Sequence, residues 1–328
     1  MKGQPMGTMT VATQHLRIHR FSALAPGPRL IVTGAVHGNE TAGPRGIERA
    51  LAEIERGAVA IVRGTVTFVP VANPLAYAKG ERFGERNLNR RLLPTASPQD
   101  NEDRIANVLC PLLAGHDVLL DLHGFRSPGR PFVLRGPADN DGALEPFAHA
   151  EAEARLSAHL GVQSVVDGWM EVYADGVAQR RERRLTPGAV NEDPAYGIGT
   201  TEYMRSVGGY GVTLECGQLD DPAGPEVALH AIRQALALLG IAALPLSPPT
   251  GPIECLTLAT VIDRHAEGDR FARPWTSFAP LTEGELIAVR ADGSEVRALE
   301  AGYIVFPDHA AVPGHEWFYL ARPSRRPI

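Results

Sequence analysis

The stretch "RLIVTGAVHGNETAGPRGIERALAEIER", residues 29–56, decides the fold. Residues 29–36 form a short, nearly continuous apolar run, which reads as a buried strand. Residues 43–56 change period. Ile47, Leu51 and Ile54 recur on one face among charged residues, and Pro44 sits near the start, so this segment reads as an amphipathic helix. Between strand and helix lies a glycine-flanked loop that carries a histidine and a glutamate three apart, His37 and Glu40.

The alternation continues through residue 240. "GTVTFVPVAN" (64–73), "DVLLDLHG" (117–124) and "GYGVTLECG" (209–217) read as strands. "DNEDRIANVLCPLLAG" (100–115) reads as a helix with acidic residues in its first turn and Gly115 as its stop. "EPFAHAEAEARLSAHLG" (145–161) and "PEVALHAIRQALALLG" (225–240) read as further helices. The pattern predicts an α/β domain with a mixed, mostly parallel central sheet flanked by helices. "ALPLSPPTGP" (243–252), with four prolines, reads as a linker. Beyond it come short β-rich runs, with an Asp-Gly hairpin signal in "RADGSEV" (290–296). Two domains are therefore expected, residues 1–242 and a small C-terminal all-β domain, 243–328.

Composition narrows the function. The net charge of −6 argues against a nucleic-acid partner, which needs clustered cations to neutralise phosphates. "QRRERR" (179–184) is the one basic cluster, and with a glutamate inside it reads as a solvated loop. No apolar run reaches the roughly 20 residues that span a bilayer, and the first ten residues lack the apolar core of a signal peptide. Three widely spaced cysteines without a CxxC pair fit reduced thiols in a cytoplasm.

Functional residues of an open sheet gather past the carboxyl ends of its strands. His37 lies there after the first strand, with Glu40 three residues on, and His123 holds the same place after "VLLDL". A His₂Glu set with an open fourth position is a ligand set of catalytic zinc. A lone HxxE is as readily a turn containing two common polar residues; the second histidine at a second strand end favours the metal. Glu215, in the apolar run "VTLECG", is either a salt-bridged structural carboxylate or a general base facing the metal. Asp121, two residues before His123 and on the same strand face, is either a buried structural aspartate or the acceptor for the histidine's other ring N–H. Asn39 shapes the turn. His116, His230 and His265 have no partner pattern.

"HGNE" (37–40), "NLNR" (87–90), "DLHG" (121–124) and "TLECG" (213–217) resemble the landmarks of the succinylglutamate desuccinylase/aspartoacylase family, which has the zinc-carboxypeptidase-like fold. "GELIA", "GYIVFP" and "EWFYL" in the tail resemble its C-terminal domain, so the likeness spans the chain. It implies that His37, Glu40 and His123 hold one zinc ion and that Glu215 is the base. It implies that Asn89 and Arg90 hold a substrate carboxylate, which suits the planar fork of a guanidinium. Arg205, ten residues before Glu215, matches an arginine that contacts the substrate's side-chain carboxylate. Aspartoacylases polarise the scissile carbonyl with an arginine after Asn-Pro, where this chain has Leu75. Arg82, or Arg86 in its place, is expected to do so from the following loop. Tyr303 or Tyr319 matches a tyrosine reaching in from the tail, though both lie in apolar β-like runs.

These readings converge on a zinc-dependent amidohydrolase acting on a small N-acyl amino acid, without nucleic acid or membrane, in the cytoplasm. Arg90 and Arg205 together point to an acidic or dicarboxylic substrate. Two alternatives stand beside it: a metallocarboxypeptidase acting on peptides, and a catalytically silent zinc-binding module. The acyl group, the amino acid and any homo-oligomer stay open.

Overall fold

The computed structural model describes residues 15–182, 193–249, 251–326 and 328. The N-terminal decapeptide and Arg183–Arg184 of the basic cluster lie outside the described residues. In chain order the first elements are β1 (His19–Ser22), β2 (Arg29–Gly34), α1 (Ala42–Glu55), β3 (Thr65–Val69), α2 (Pro74–Lys79), α3 (Asn101–Ala114) and β4 (Val118–Phe125). Then follow β5 (Phe132–Leu134), α4 (Ala150–His159), β6 (Ser164–Asp167), α5 (Trp169–Glu182), α6 (Thr200–Ser206), β7 (Tyr210–Gln218) and α7 (Gly224–Leu238). The last third is all strand: β8 (Glu254–Asp263), β9 (Arg270–Phe271), β10 (Ala279–Leu281), β11 (Leu286–Val289), β12 (Glu295–Arg297), β13 (Gly302–Val305) and β14 (Glu316–Pro323).

Eleven strands make one mixed sheet in the order β1-β3-β2-β4-β7-β5-β6-β8-β14-β13-β10. β3, β2, β4 and β7 are mutually parallel. β5 pairs antiparallel with β7 and opens a second parallel block with β6 and β8. β14, β13 and β10 then close the sheet antiparallel. The chain leaves β2 for β3 on one side and returns to β4 on the other. Such a reversal leaves a crevice at the carboxyl ends of the strands.

Alternation along the central strands sets the two faces. Leu30, Val32, Leu120, Leu122, Val212 and Leu214 enter one core, closed by α1 and α7. Ile31 and Leu119 point the other way, into a core with α3 and α6. On that second face β4 turns polar as it proceeds, from Leu119 to Asp121 to His123. Truncating a fully buried leucine such as Leu120 to alanine in such a core typically costs about 2–5 kcal/mol.

The tail is all β, with β9, β11 and β12 in a separate three-stranded sheet. β11 and β12 form the hairpin anticipated at "RADGSEV", with Gly293 at φ 87 in its turn. The proline-rich linker does not set the tail apart: β8 pairs in parallel with β6, so one ladder crosses the expected boundary at residue 242. The solvated loop read at "QRRERR" is corrected too. Gln179–Glu182 end helix α5, and Arg180 is only 2% exposed. Its guanidinium binds Asp263 at 2.7 and 2.9 Å, which ties α5 to β8.

Candidate active site

Immediately after β2, Ala35 takes a left-handed backbone (φ 46), uncommon away from glycine, which swings the chain out of the sheet. Gly38 lets the next turn pack on α2, since a Cβ there would lie 2.0 Å from the carbonyl carbon of Ala76. The turn delivers His37 and Glu40 to the crevice, both 2% exposed. His123 comes from the end of β4 and Glu215 from the matching position of β7, where the two are register partners. Their side chains therefore emerge side by side on the face that carries Asp121.

One ligand atom from each of His37, Glu40 and His123 lies within 4.8 Å of the others. His37 Nδ1 is 2.8 Å from Glu40 Oε1, and His123 Nδ1 is 2.9 Å from Glu40 Oε2. The remaining ring nitrogens are spoken for: His37 Nε2 donates to Asn87 Oδ1 at 2.9 Å, and His123 Nε2 to Asp121 Oδ2 at 2.8 Å. With Nε2 so occupied, both rings turn Nδ1 toward the one carboxylate of Glu40. Burial, seconded by Arg82, pushes the His37 pKa down to about 4, so this imidazole is neutral at pH 7. A neutral lone pair facing a carboxylate at such a distance asks for a cation between them. The donor set, with each imidazole backed by an acceptor, fits zinc.

The surroundings hold this arrangement. Asp121 is fully buried and accepts from Thr33 at 2.5 Å and from Thr200. Burial opposes a charge on His123, but Asp121 and Glu40 outweigh it and hold its pKa well above the usual imidazole range. Glu215 is 7% exposed, and its Oε2 has no hydrogen-bond partner among the described residues. Burial pushes its pKa up to about 8, against the pull of His123. In the metal-free protein this carboxyl group therefore keeps its proton through neutral pH.

Arg82 and Arg86, interchangeable in sequence, part company. Arg82 Nη1 donates to Glu40 Oε1 at 2.7 Å and stands in the site. Arg86 is turned away: it binds Asp100 and Asp103, each at 2.7 Å, and the carbonyl of Arg90. Asn89 spends its amide oxygen on the backbone N–H of Thr200 at 3.0 Å, which leaves its nitrogen as a donor. The Arg90 guanidinium lies over the rings of Trp169 (4.8 Å) and Tyr173 (5.6 Å). Arg205 is buried and held by Glu153, Glu145, Glu202 and the Gly211 carbonyl. Its fork is full.

Sequence reasoning passed over Asn87, Thr33, Thr200 and Glu102. Glu102 is fully buried and accepts from the backbone N–H groups of Gly84, Glu85 and Arg86, so it shapes the loop that presents Arg82 and "NLNR". The available signal was a glutamate early in α3 inside an otherwise apolar face. A cavity of about 680 Å³ opens over the site. The tail walls it with Phe306, Asp308, Glu316 and Tyr319, whereas Tyr303 sits by Glu254, outside the cavity lining.

The mixed sheet thus carries, at the switch of strand order, a buried His-Glu-His group that could hold a metal ion. The sequence profile of the succinylglutamate desuccinylase/aspartoacylase catalytic domain matches residues 26–240, and the chain belongs to that family of hydrolases. No curated protein sequence matches the chain significantly. Among solved structures, the product-bound ectoine utilization protein EutE from Ruegeria pomeroyi is similar at 20% identity and a TM-score of 0.69, over 93% of this chain and 88% of that one. Succinylglutamate desuccinylase from Vibrio parahaemolyticus is 17% identical with a TM-score of 0.69, over 94% and 86% of the two chains. An aspartoacylase family protein from Mesorhizobium loti is 21% identical with a TM-score of 0.65, over 95% and 90%. These likenesses establish a shared fold. Among the described residues no helix is long and apolar enough to cross a membrane.

Proposed function

We propose that the protein is a zinc-dependent hydrolase that cleaves the amide bond of a small N-acyl amino acid or a related amide. The observation that carries this reading is the convergence of His37, Glu40 and His123 beside a buried carboxyl group, Glu215, whose Oε2 has no hydrogen-bond partner among the described residues. His37 and His123 through Nδ1, and Glu40, would hold one zinc per chain. When bound, the ion polarises a carbonyl and makes water nucleophilic at neutral pH. Glu215 takes the water proton at Oε2 and returns it to the leaving nitrogen. Arg82, freed from Glu40, turns a guanidinium N–H to the carbonyl oxygen as charge develops there. Asn89 and Arg90 anchor the substrate carboxylate and so fix the amide against Glu215. Asp121 keeps His123 in its tautomer. The tail closes the cavity on one side, which favours small amides over peptides. The three cysteines are free, which suits a reducing cytoplasm.

The test strips the protein with a chelator and reloads it with zinc. One equivalent is expected to restore hydrolysis of N-acetyl amino acids. Glu215→Gln should keep the zinc and lose about 10²–10⁴ in kcat. A full rate in that variant removes Glu215 as the base, and failure to bind zinc removes the whole reading. Faster turnover of peptides with a free C-terminus than of acyl amino acids would transfer it to a carboxypeptidase.

A further inference from the structure

Six arginines line the cavity: Arg82, Arg86, Arg90, Arg126, Arg135 and Arg205. Taken as residue types they suggest a substrate rich in carboxylates. Their partners say otherwise. Arg205 uses all three nitrogens, with Nε on Glu153 at 2.9 Å, Nη1 on Glu145 at 2.7 Å and Glu202 at 3.3 Å, and Nη2 on the Gly211 carbonyl at 2.9 Å. Its side chain is 3% exposed. Arg86 is divided between Asp100 and Asp103, and Arg135 is buried against Asp167 at 3.0 Å. For any of these to take a substrate carboxylate, an enclosed acid would have to be left unpaired in low dielectric, which is strongly unfavourable. Arg126 faces Asp308 at 3.2 Å at the exposed rim. Arg82 stands on Glu40, at the reacting end.

Arg90 is the exception. It donates Nη1 to the Asn89 carbonyl at 2.8 Å and otherwise makes no hydrogen bond among the described residues. Its guanidinium lies over the rings of Trp169 and Tyr173, and the nearby charge of Glu316 favours the cation without a hydrogen bond to it. The acids of the lining are paired as well: Glu202 with Arg205 at 3.3 Å, Asp308 with Arg126 at 3.2 Å and Glu316 with Arg180 at 3.4 Å. A second substrate carboxylate would have to displace one of these acids from its arginine, which disfavours that partner.

We infer that the cavity selects N-acyl amino acids bearing a single carboxylate and a side chain that is not acidic. Arg90 receives that carboxylate, and Glu145, Glu153 and Glu202 set the selectivity by occupying Arg205. This inference rests on the hydrolase reading above. It reverses the expectation of a dicarboxylic substrate, because arginine count measures cationic supply only where the cations are unpaired.

The experiment uses the zinc-loaded full chain and four probes: Nα-acetylalanine, Nα-acetyllysine, N-acetylaspartate and N-acetylglutamate. Binding is measured by calorimetry on Glu215→Gln, and kcat/KM on the unaltered protein. The alanine and lysine derivatives are expected to bind at least about tenfold more tightly than the two acidic ones. Arg90→Gln should weaken their binding by about 10²-fold, the loss typical of a charged hydrogen-bond partner. Glu145→Gln with Glu202→Gln, which removes both acids from Arg205 Nη1, should narrow the gap; if that variant fails to fold, the four-probe comparison on the intact chain still decides. Equal or tighter binding of the acidic probes, no binding of any probe, or an Arg90→Gln variant that binds normally overturns the inference. If binding is selective as expected while the unaltered protein hydrolyses none of the four, the hydrolase reading falls and the inference stands.

Discussion

Asp121, His123 and Glu215 interrupt strands whose other residues are almost wholly apolar, and such interruptions made most of the candidate site legible. A charged side chain inside a buried strand needs a partner, so its position at a strand's carboxyl end was already a statement about chemistry. Glu215 brings a pH dependence. Its folded pKa is raised from 4.5 to about 8, so between those values the native state holds a proton that the unfolded chain has released. Stability from this group is therefore complete below about 4.5 and is lost as pH rises through 8. His123, whose pKa is also raised, adds stability lost in the same direction. Metal-free protein is thus expected to melt at progressively lower temperature from pH 6 to 8.5, with a shallower slope in Glu215→Gln; parallel slopes in calorimetry would contradict this. Asn87, Thr33 and Thr200 were not legible, because each acquires its role from a partner 50, 88 or 79 residues away. Asn87→Ala should weaken zinc binding about 10–100-fold by freeing His37 Nε2, as a competitive chelator titration would measure.

The strand and helix faces that enclose the central sheet followed from period alone. β2, α1, α3, β4, β7 and α7 begin and end within a few residues of their predicted limits. α5 was missed because Gly176, Asp175 and a cluster of arginines blur its pattern, although Arg180 turns inward to Asp263. β5 has only three residues and draws its conformation from β7 and β6 on either side. At this scale the "HGNE" turn is the most constrained feature, for Gly38 admits no side chain against Ala76. Gly38→Ala is expected to cost about 1–3 kcal/mol through overpacking, with loss of zinc occupancy. Thermal unfolding and metal analysis on the same sample read both, and an unchanged melting temperature would refute the steric account.

For the molecule as a whole, the division drawn from composition and the connectivity of the sheet differ. A proline-rich segment does separate the helical part from the all-β tail in sequence, but hydrogen bonding ignores it, since β6 carries β8 on its outer edge. Composition reports where the chain is irregular; it carries no information about which edges later strands will cover. A chain ending at residue 242 would bare that edge together with Val166 and Val172, which now pack against Leu256, Leu258 and Val261. It should aggregate in light scattering, because an open apolar edge templates association. The unbroken ladder also has a kinetic meaning. Two lobes sharing a single pleated sheet have no hinge between them, so the cavity cannot be opened and shut by swinging the tail. Admission of substrate and escape of product must be governed by short segments at the rim, on the timescale of loops.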